Sequence, residues 1–506
     1  MTTEALALGH VTKRFGALTA LDDASLRVER GTIHAVVGEN GAGKSTLLRI
    51  AYGETRADAG ALRIHGDEVP LARHSPAEGI RRRVGMVHQH FMLVPTLTVT
   101  ENVVLGREPS RGGRLDLDRA ASEIAAVSAR VGLDVAPTRL VSELSVGERQ
   151  RVEIVKVLWR GADVLLLDEP TAVLTPMEVA SLFGVLRALA GEGTTLVLVT
   201  HKLDEVEAIA DRVTVMRRGR VTAELPRGVS REAVARAMVG GDVEPVVRPP
   251  PRALGPVALD VSDLRVSRAR GAPAVDGVTL MVRAGEILGV AGVQGNGQTE
   301  LVLAIAGLAR TQAGQVGLMG RDVTRAAPGE RQALGLGHVP EDRHGRGLVL
   351  EMTLAENLIL GQQRAFSGPG RLDFAHMERN AAERLTDLDV RPADSQATAS
   401  TLSGGNQQKV VLARELGRSG LRVLVVAEPT RGVDIGATAL IHRRLLAAAA
   451  AGVAVLVVSS ELSELRALCD RVAVMLRGKL VAVLDTRSAD DATLSALMTG
   501  ARTTVT

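Results

Sequence analysis

The chain has 506 residues, of which 45% are hydrophobic and 24% charged, and its formal net charge is +3. This length suffices for two or more domains with full-sized cores, and so small a net charge gives no support to nucleic-acid binding. The single cysteine, Cys469, excludes an intramolecular disulfide and fits a reducing compartment.

The first informative stretch is GENGAGKST, residues 38–46, between an apolar strand-like run at 32–38 and a helical pattern at 45–53. It matches G-x-x-x-x-G-K-[ST], a loop that cradles phosphates. Its glycines let successive backbone N–H groups face a phosphate, and a helix N-terminus adds about half a unit of positive charge. We therefore predict that Lys44 reaches the β and γ phosphates of a nucleotide and that Ser45 places its hydroxyl on Mg²⁺.

The next informative stretch is DVLLLDEP, residues 163–170, an apolar strand that ends in two acids. Buried strand ends seldom carry carboxylates unless something compensates their charge, and Mg²⁺ would do so. We predict that Asp168 holds the Mg²⁺ shell and that Glu169 polarises the attacking water as general base. The alternative, a pair of acids that only begins a turn before Pro170, is disfavoured by the phosphate loop upstream.

The second half of the chain repeats the first in order and at a nearly constant spacing. The matching stretches are 97–106 and 352–361, 143–150 and 401–408, 168–173 and 427–432, and 211–221 and 470–480. Such a long period indicates a duplicated domain, since solenoid repeats recur every 20–50 residues or so.

Each half alternates short apolar runs with longer helical patterns, which implies a mainly parallel α/β sheet. We predict a first domain over residues 1–243 and a second over 257–506. The proline-rich segment 244–256 is predicted to be a semi-rigid linker between them.

No stretch of the sequence is predicted to span a membrane. The longest apolar run, residues 445–458, is shorter than the roughly 20 residues that a membrane helix needs. Gly452 is expected to divide it into a helix end and a strand. Residues 1–15 lack the basic-then-apolar pattern of a signal peptide. Contact with a membrane through a partner remains open.

The stretches LSVGERQ, residues 144–150, and LSGGNQQK, residues 402–409, resemble the signature motif of ATP-binding cassette (ABC) ATPases. With the flanking motifs, the resemblance covers essentially the whole chain. Tandem copies with a weakened second half are similar to the ATPase subunit of bacterial importers for simple sugars and nucleosides. Residues 85–106 and 426–437 resemble the nucleoside-type members more than the ribose or galactose ones.

The resemblance implies a fold, ligands and partners. The fold would be two tandem P-loop ATPase domains, each with a mainly parallel sheet core, a helical subdomain and an antiparallel β subdomain. The ligands would be ATP and Mg²⁺. The partners would be integral membrane permease subunits and, indirectly, an extracytoplasmic solute-binding protein. The chain would lie peripherally on the cytoplasmic face of the membrane and touch it only through the permease.

The resemblance also implies roles for single residues of the first domain. Phe15 would stack on adenine, the alternative being a core phenylalanine. Gln89 would contact Mg²⁺ and water and relay to the permease, and His201 would bond the γ-phosphate. His88 and His90 flank Gln89, but strand alternation is expected to put them on one face with no further metal ligand nearby. The residues expected to contact ATP in this domain are Phe15, Gly38, Glu39, Asn40, Gly41, Ala42, Gly43, Lys44, Ser45 and Thr46.

The second half lacks most of these groups. The counterparts of Lys44, Gln89, Asp168, Glu169 and His201 are Gln298, Glu341, Ala427, Glu428 and Ser460. A hydrogen bond to a charged group contributes about 1.5–3 kcal/mol, and about 1.4 kcal/mol of barrier is a tenfold change in rate. We therefore predict a second site that is slower by several orders of magnitude. Because Gln298 can still donate and Thr299 remains, binding without hydrolysis stays open.

In the family, ATP lies between the phosphate loop of one copy and the signature of the other. The working site would then combine the first domain's motifs with Ser403, Gly404 and Gly405. The degenerate site would use Ser145 and Gly147, with Val146 in place of a glycine. Whether this sandwich forms within one chain or between two is open. Thr175 stands where most members have an aspartate, which the second half keeps as Asp434.

Two other functions compete with transport. A soluble tandem-cassette ATPase acting on ribosomes or DNA typically has a long charged linker or a coiled-coil insertion, and two well-preserved sites; this sequence has neither feature. An ATP-binding regulatory scaffold would need Glu169 to be idle. The solute cannot be derived from this chain, and import over export rests on the resemblance alone.

Overall fold

The computed structural model describes residues 4–16, 18–172, 174, 176–240, 253–268, 272–293, 295–368 and 370–500. The chain divides into two compact units, Met1–Val243 and Glu244–Thr506. Residues 244–252 of the predicted linker, and Thr175, lie outside the described part. The end of that linker is attached to the second unit, because the Gly255 N–H donates to the Ala284 carbonyl at 2.9 Å.

The first unit alternates strands and helices along the chain. Its strands are Glu4–Phe15 (β1), Leu18–Glu29 (β2), Ile33–Gly38 (β3), Ala59–Ile64 (β4), Asp67–Val69 (β5), Val84–Val87 (β6), Ser110–Arg111 (β7), Arg114–Leu115 (β8), Val164–Asp168 (β9), Thr195–Thr200 (β10), Arg212–Arg217 (β11) and Arg220–Pro226 (β12). Its helices are Lys44–Tyr52 (α1), Pro76–Arg81 (α2), Val99–Val104 (α3), Leu117–Val131 (α4), Val146–Trp159 (α5), Pro176–Gly191 (α6), Leu203–Ile209 (α7) and Arg231–Val239 (α8).

Three substructures make up the first unit. The main sheet has the order β12-β11-β3-β10-β9-β6 in the described residues, with every neighbouring pair parallel except β11 and β12. Strands β2-β1-β4-β5 form a separate antiparallel sheet, and helices α3, α4 and α5 pack together. Both faces of the main sheet are covered, since Leu165 and Leu167 of β9 join one core cluster and Leu166 joins another. This two-sided burial explains why the strands read as continuous apolar runs.

The second unit repeats this series of elements. Its strands are Val257–Val266 (β13), Val275–Arg283 (β14), Ile287–Ala291 (β15), Ala313–Leu318 (β16), Arg321–Asp322 (β17), Leu336–Val339 (β18), Ser367–Gly368 (β19), Arg371–Leu372 (β20), Val423–Ala427 (β21), Ala454–Ser459 (β22), Arg471–Leu476 (β23) and Lys479–Asp485 (β24). Its helices are Gln298–Ile305 (α9), Pro328–Ala333 (α10), Leu354–Ile359 (α11), Phe374–Asp387 (α12), Gly404–Leu416 (α13), Ile435–Ala450 (α14), Leu462–Leu468 (α15) and Asp491–Thr499 (α16).

The sheets of the second unit confirm the predicted duplication. The main sheet has the order β18-β21-β22-β15-β23-β24 in the described residues, an antiparallel sheet has the order β14-β13-β16-β17, and α11, α12 and α13 pack together. The predicted α/β fold, with its helical and antiparallel subdomains, is therefore present in both units.

The long apolar run at 445–458 is divided as predicted. Helix α14 ends at Ala450 and β22 begins at Ala454, with Gly452 between them at φ 92°. Across the residues that the structure describes, every helix is too short or too polar to cross a membrane.

Candidate functional site

The glycine-rich loop of the first unit lies between β3 and α1, as predicted. Strand β3 ends at Gly38 and α1 begins at Lys44, with Gly41 and Gly43 at positive φ between them. A Cβ atom at Gly43 would come within 2.6 Å of the Ala20 carbonyl oxygen of β2, so only glycine fits there. The antiparallel sheet therefore packs directly against the loop and fixes its path.

Lys44 is held inside the loop. Its ammonium donates to the backbone carbonyls of Gly38 at 2.8 Å and Glu39 at 3.0 Å, and the residue is 5% exposed. Burial lowers the pKa of Lys44, and the negative charges of Glu169 and Asp168 oppose this shift. An ammonium has three donors, so one remains for a phosphate oxygen.

Ser45 and Asp168 form the hydroxyl–carboxylate pair expected of a magnesium site. The Ser45 Oγ donates to Asp168 Oδ1 at 2.9 Å, and Asp168 is buried at the end of β9. Burial and then the neighbouring Glu169 charge raise the pKa of Asp168, although the Ser45 hydrogen bond opposes them. Oxygen ligands of this kind suit Mg²⁺. When bound with ATP, Mg²⁺ would neutralise phosphate charge and polarise the γ-phosphate.

The three predicted catalytic side chains are brought together. Glu169 Oε2 accepts a hydrogen bond from Gln89 Nε2 at 2.9 Å, and Glu169 Oε1 lies 3.0 Å from His201 Nδ1. Glu169 has a left-handed backbone with φ 48°, and its N–H donates to the Val199 carbonyl at 3.0 Å. Left-handed backbone at a non-glycine residue costs free energy and is concentrated at functional sites.

The charges around Glu169 keep its carboxylate ionised. Burial alone would raise the pKa of Glu169, but the hydrogen bond from His201 and the charges of His201, Lys44 and Lys202 outweigh it. The pKa of Glu169 therefore lies below its ordinary value. The carboxylate is ionised at neutral pH and can accept a proton from water.

A supporting residue that the sequence analysis missed is Glu205. This buried carboxylate, 5% exposed, accepts hydrogen bonds from the Thr171 hydroxyl at 2.5 Å and the Thr200 hydroxyl at 2.6 Å. Thr171 follows Glu169 by two residues, and Thr200 immediately precedes His201. Glu205 thus fixes both segments that carry the predicted catalytic side chains. Its position in α7 gave no signal, because it matches none of the recognised motifs.

Phe15 is a surface residue. It ends β1, pairs with Leu18 across the hairpin, and is 51% exposed, with Lys13 Nζ 5.2 Å from the ring centroid. The alternative of a core phenylalanine is therefore wrong. Its stacking on adenine stays a prediction.

The expected placement of His88 and His90 on a strand is wrong. Strand β6 ends at Val87, so both histidines lie in the segment after it. His88 packs edge-on to Tyr52, and its Nδ1 is 3.9 Å from the Glu54 carboxylate. No cluster of three or more His, Cys, Asp or Glu residues suited to a metal is present in the described parts of the chain.

The second unit keeps the frame of the loop without its charge. Strand β15 ends at Ala291 and α9 begins at Gln298, after Gly297 at φ 107°. The Gln298 side-chain amide donates to the Val293 carbonyl at 3.2 Å, the counterpart of the contact between Lys44 and Glu39. Gln298 therefore retains a backbone contact of the lysine but offers phosphate no positive charge. Residue 294 lies outside the described part of this loop.

A polar chain that sequence reasoning missed lies next to this second loop. The Thr299 hydroxyl donates to Glu341 Oε2 at 3.1 Å, and Arg431 Nη1 donates to Glu341 Oε1 at 2.6 Å. Arg431 occupies the position of Ala172 in the first half, and this change from alanine to arginine was a signal available in the sequence.

Glu428 keeps the position of Glu169 but in different surroundings. Its carboxylate accepts from the Ser460 N–H at 2.9 Å and the Ser460 hydroxyl at 3.3 Å. Burial, followed by the charge of Glu464, raises the pKa of Glu428 to about 7. At neutral pH the carboxyl of Glu428 is therefore about half protonated, whereas the carboxyl of Glu169 is ionised.

This difference predicts a pH-dependent stability effect for Glu428→Gln. The pKa of Glu428 in the folded chain, about 7, lies above its ordinary value of 4.5, so folding favours the protonated form. The contribution of Glu428 to the free energy of unfolding of the wild type should therefore fall as pH rises between these values. Relative to wild type, we expect Glu428→Gln to gain about 1–3 kcal/mol between pH 5 and pH 8 in urea unfolding of the full chain.

The matched control is Glu169→Gln. Because the pKa of Glu169 is lowered, this variant should show no such gain between pH 5 and pH 8. An equal gain in both variants would contradict the proposed environment of Glu428.

The signature residues begin α5 and α13. Ser145 caps α5 in a reciprocal pair with Glu148, and Gly147 is buried in its first turn. Ser403 caps α13, its hydroxyl accepts from Asn406 Nδ2 at 3.0 Å, and Gly404 and Gly405 form the first turn.

Arg343 lies beside the second signature and was also missed. Its Nη1 donates to the Arg431 carbonyl at 3.0 Å, and a Cβ at Gly404 would come within 2.6 Å of its Nη2.

Asp434, the counterpart of Thr175, caps α14 by accepting from the Ala437 N–H at 2.7 Å.

Known proteins resemble this chain over nearly its whole length. The ABC transporter family model matches residues 21–172 and 275–431. The chain is 46% identical to the nucleoside import ATP-binding protein NupA of Lactococcus lactis subsp. cremoris, over 97% of each chain. It is 41% identical to the ribose import ATP-binding protein RbsA 2 of Streptomyces avermitilis, over 98% of this chain and 97% of that one.

A solved structure shares the fold over most of the chain. The archaeal ribosome recycling factor aABCE1, solved with the stalk protein aP1, has a TM-score of 0.64 at 20% identity, covering 94% of this chain and 90% of that chain. This likeness concerns the fold alone. From its family match and its relatives, the chain belongs to the ABC transporter family. It is an ATP-binding ATPase of that class.

Proposed function

We propose that this chain is the ATP-hydrolysing subunit of a membrane importer for nucleosides, with one competent ATP site. The observation that carries the proposal is the cluster of Gln89, Glu169 and His201 in the first unit. Glu169 directly follows Asp168, whose carboxylate accepts a hydrogen bond from Ser45, the residue after Lys44. The second unit has no equivalent of this charge arrangement in its described residues. Simple sugars are the alternative solutes.

The competent site is proposed to be completed by the second unit's signature, Ser403, Gly404 and Gly405. In the first unit's signature, Val146 stands in place of a glycine and is exposed. A branched side chain there would restrict the approach of a phosphate. The degenerate loop with Gln298 is proposed to pair with this poorer signature, so hydrolysis there would be slow.

Nucleosides are preferred over sugars as the imported solute for two reasons. The identity is 46% to the nucleoside importer protein and 41% to the ribose one. The segments 85–106 and 426–437 also resemble the nucleoside type. Both reasons rest on sequence similarity, because this subunit is not proposed to contact the solute.

A permease is the proposed membrane partner, and its docking place is proposed near Gln89. A cavity of about 230 Å³ lies where the segment after β6 meets α1, α3 and α5. Its lining includes Tyr52, His88, Met92, Leu105 and Lys156. A cytoplasmic segment of the permease bound there would be displaced when Gln89 moves. The chain would thus lie peripherally on the cytoplasmic face, with the solute-binding protein reached only through the permease.

The ribosome-directed alternative has no observation in its favour beyond the shared fold. The likeness to the recycling factor is at 20% identity. It therefore gives no information about partners.

Uptake of labelled solutes tests the proposed function. A strain lacking this chain should lose uptake of labelled uridine or guanosine and keep uptake of ribose. Complementation with the wild type should restore nucleoside uptake, whereas the Lys44→Ala variant should not, because the phosphate loop needs its charge. Unchanged nucleoside uptake in the deletion strain would contradict the proposal, and selective loss of ribose uptake would favour the sugar alternative.

A further inference from the structure

We propose that Arg343 is a positioning residue for the second signature and holds the first turn of α13 in the place that ATP hydrolysis requires. The inference rests on the proposed function, in which this signature completes the competent site. It adds a residue that matches none of the motifs from which that function was argued.

The contacts of Arg343 join two segments that are distant in the chain. Arg343 lies in the segment after β18, and its Nη1 donates to the Arg431 carbonyl, after β21, at 3.0 Å. A Cβ at Gly432 would lie 3.5 Å from both Nη atoms, and a Cβ at Gly404 would lie 2.6 Å from Nη2. The guanidinium is therefore packed between the first turn of α13 and the segment that follows β21.

The acceptor of this hydrogen bond is itself held in place. The Arg431 side chain donates to Glu341 Oε1 at 2.6 Å, and the Arg431 N–H donates to the Glu428 carbonyl at 3.2 Å. Both the side chain and the backbone of Arg431 are thus fixed. Because Arg343 bonds to this residue and touches Gly404, it sets the position of the signature relative to the end of β21.

The two signatures differ at both members of the contact. Val146 is the counterpart of Gly404, and Phe91 is the counterpart of Arg343. A Cβ at position 404 would come too close to the guanidinium, so the arginine requires a glycine there. The glycine and the arginine therefore occur together in the signature proposed to serve hydrolysis, and both are replaced in the other one.

The bonding of Arg343 differs from that of an arginine with a structural role alone. The guanidinium of Arg331, which is buried, donates to the backbone carbonyls of Ala304, Ile305, Thr324 and Ala326. Arg343 makes one such bond, and its Nε is buried without a hydrogen-bond partner in the described residues. A buried donor without an acceptor costs free energy, so the stability of the fold alone does not account for this arginine.

The charge of Arg343 also suits its place. Among the residues that the structure describes, no carboxylate lies within ion-pair distance of its guanidinium. Its positive charge therefore adds to the partial positive charge at the N-terminal end of α13, which favours an anion such as phosphate.

Steady-state ATP hydrolysis by the full chain, with kcat and KM measured separately, tests this role. Arg343→Ala should lower kcat about 10–100-fold and leave KM within about threefold, because ATP would be held by the first loop and only the alignment of the signature would change. Arg343→Lys keeps a donor for the Arg431 carbonyl and should recover at least about threefold of the loss. An unchanged kcat in Arg343→Ala, or a lysine variant no faster than the alanine variant, would overturn the proposal.

The matched control is Arg346→Ala, which removes an exposed arginine from the same segment. Its kcat should stay within about threefold of wild type. An equal loss in Arg346→Ala and Arg343→Ala would assign the effect to the charge of the segment and would overturn the positioning role.

A double variant separates positioning from other effects of the same changes. In Gly404→Ala the new Cβ would push the guanidinium away from the Arg431 carbonyl, so kcat should fall by about the same factor as in Arg343→Ala. Once Arg343 is removed, the methyl group has nothing to displace, and the double variant should be within about threefold of the single variants. Losses that multiply would contradict the proposal. Gly404→Ala keeps the arginine, so it tests the contact even if Arg343→Ala unfolds at a lower temperature.

Gly405→Ala distinguishes this inference from the proposed function. A loss of hydrolysis in Gly405→Ala together with wild-type kcat in Arg343→Ala would overturn the role of Arg343 alone. Full activity in Gly405→Ala would remove the second signature from the competent site, and both proposals would then be wrong.

Discussion

Replacement of Lys44 by alanine, or of Glu169 by glutamine, is expected to abolish steady-state ATP hydrolysis by the full chain. Lys44 is the one residue of the first loop that would bring a positive charge to the phosphates. Glu169, the proposed base, is an ionised carboxylate held between Gln89 and His201. A hydrogen bond to a charged group contributes about 1.5–3 kcal/mol, and a general base contributes about 10²–10⁴ in rate. Each variant should therefore lose at least about 100-fold in a phosphate-release assay.

The matched changes in the second unit should behave differently. Gln298→Lys and Glu428→Gln alter the counterparts of the same two residues, and we expect hydrolysis within about threefold of wild type in both. Turnover that survived Lys44→Ala and Glu169→Gln but collapsed in Gln298→Lys would show that the two sites had been assigned the wrong way round.

Gly405→Ala in the second signature should reduce hydrolysis about 10–100-fold while leaving the fold intact. A Cβ at Gly405 would meet Asp434 Oδ2 at 3.5 Å, an ordinary contact, and alanine favours a helix over glycine by about 1 kcal/mol. The chain should therefore be as stable as wild type. The added methyl would stand where the proposed site needs close approach of the γ-phosphate to the backbone N–H groups. A phosphate-release assay together with thermal unfolding separates these effects.

The control for this change is Gly147→Ala in the first signature. A Cβ there would meet the Glu178 carboxylate, the end of a flexible side chain that can turn away. Because Gly147 is proposed to serve the degenerate site, hydrolysis should stay within about threefold of wild type. Equal losses in Gly405→Ala and Gly147→Ala would contradict the proposed pairing of the first loop with the second signature.

Local structure around the phosphate loop could be predicted because its causes are local. The pattern at 38–46 combines glycines that permit positive φ with a strand before it and a helix after it, and these are the observed β3 and α1. Gly452 likewise divides the apolar run at 445–458 into α14 and β22. Chain periodicity and glycine conformation are properties of neighbouring residues, so the sequence carries them directly.

The prediction of a strand through His88 and His90 was wrong because the end of that strand is set by residues distant in the chain. Strand β6 ends at Val87, where its pairing with β9 ends, and that pairing joins residues far apart in the chain. Where a strand stops depends on its neighbour in the sheet, which periodicity does not reveal.

The sequence by itself determined the duplicated α/β architecture, the position of both phosphate loops and the loss of lysine and aspartate from the second. Only the tertiary structure showed that Glu341 meets Thr299 and Arg431, and that Glu205 joins Thr171 to Thr200. These contacts connect segments that are 5 to 90 residues apart. Motif spacing identifies which groups a site contains, but the partners of each charge are set by packing of the sheet ends, where distant segments converge.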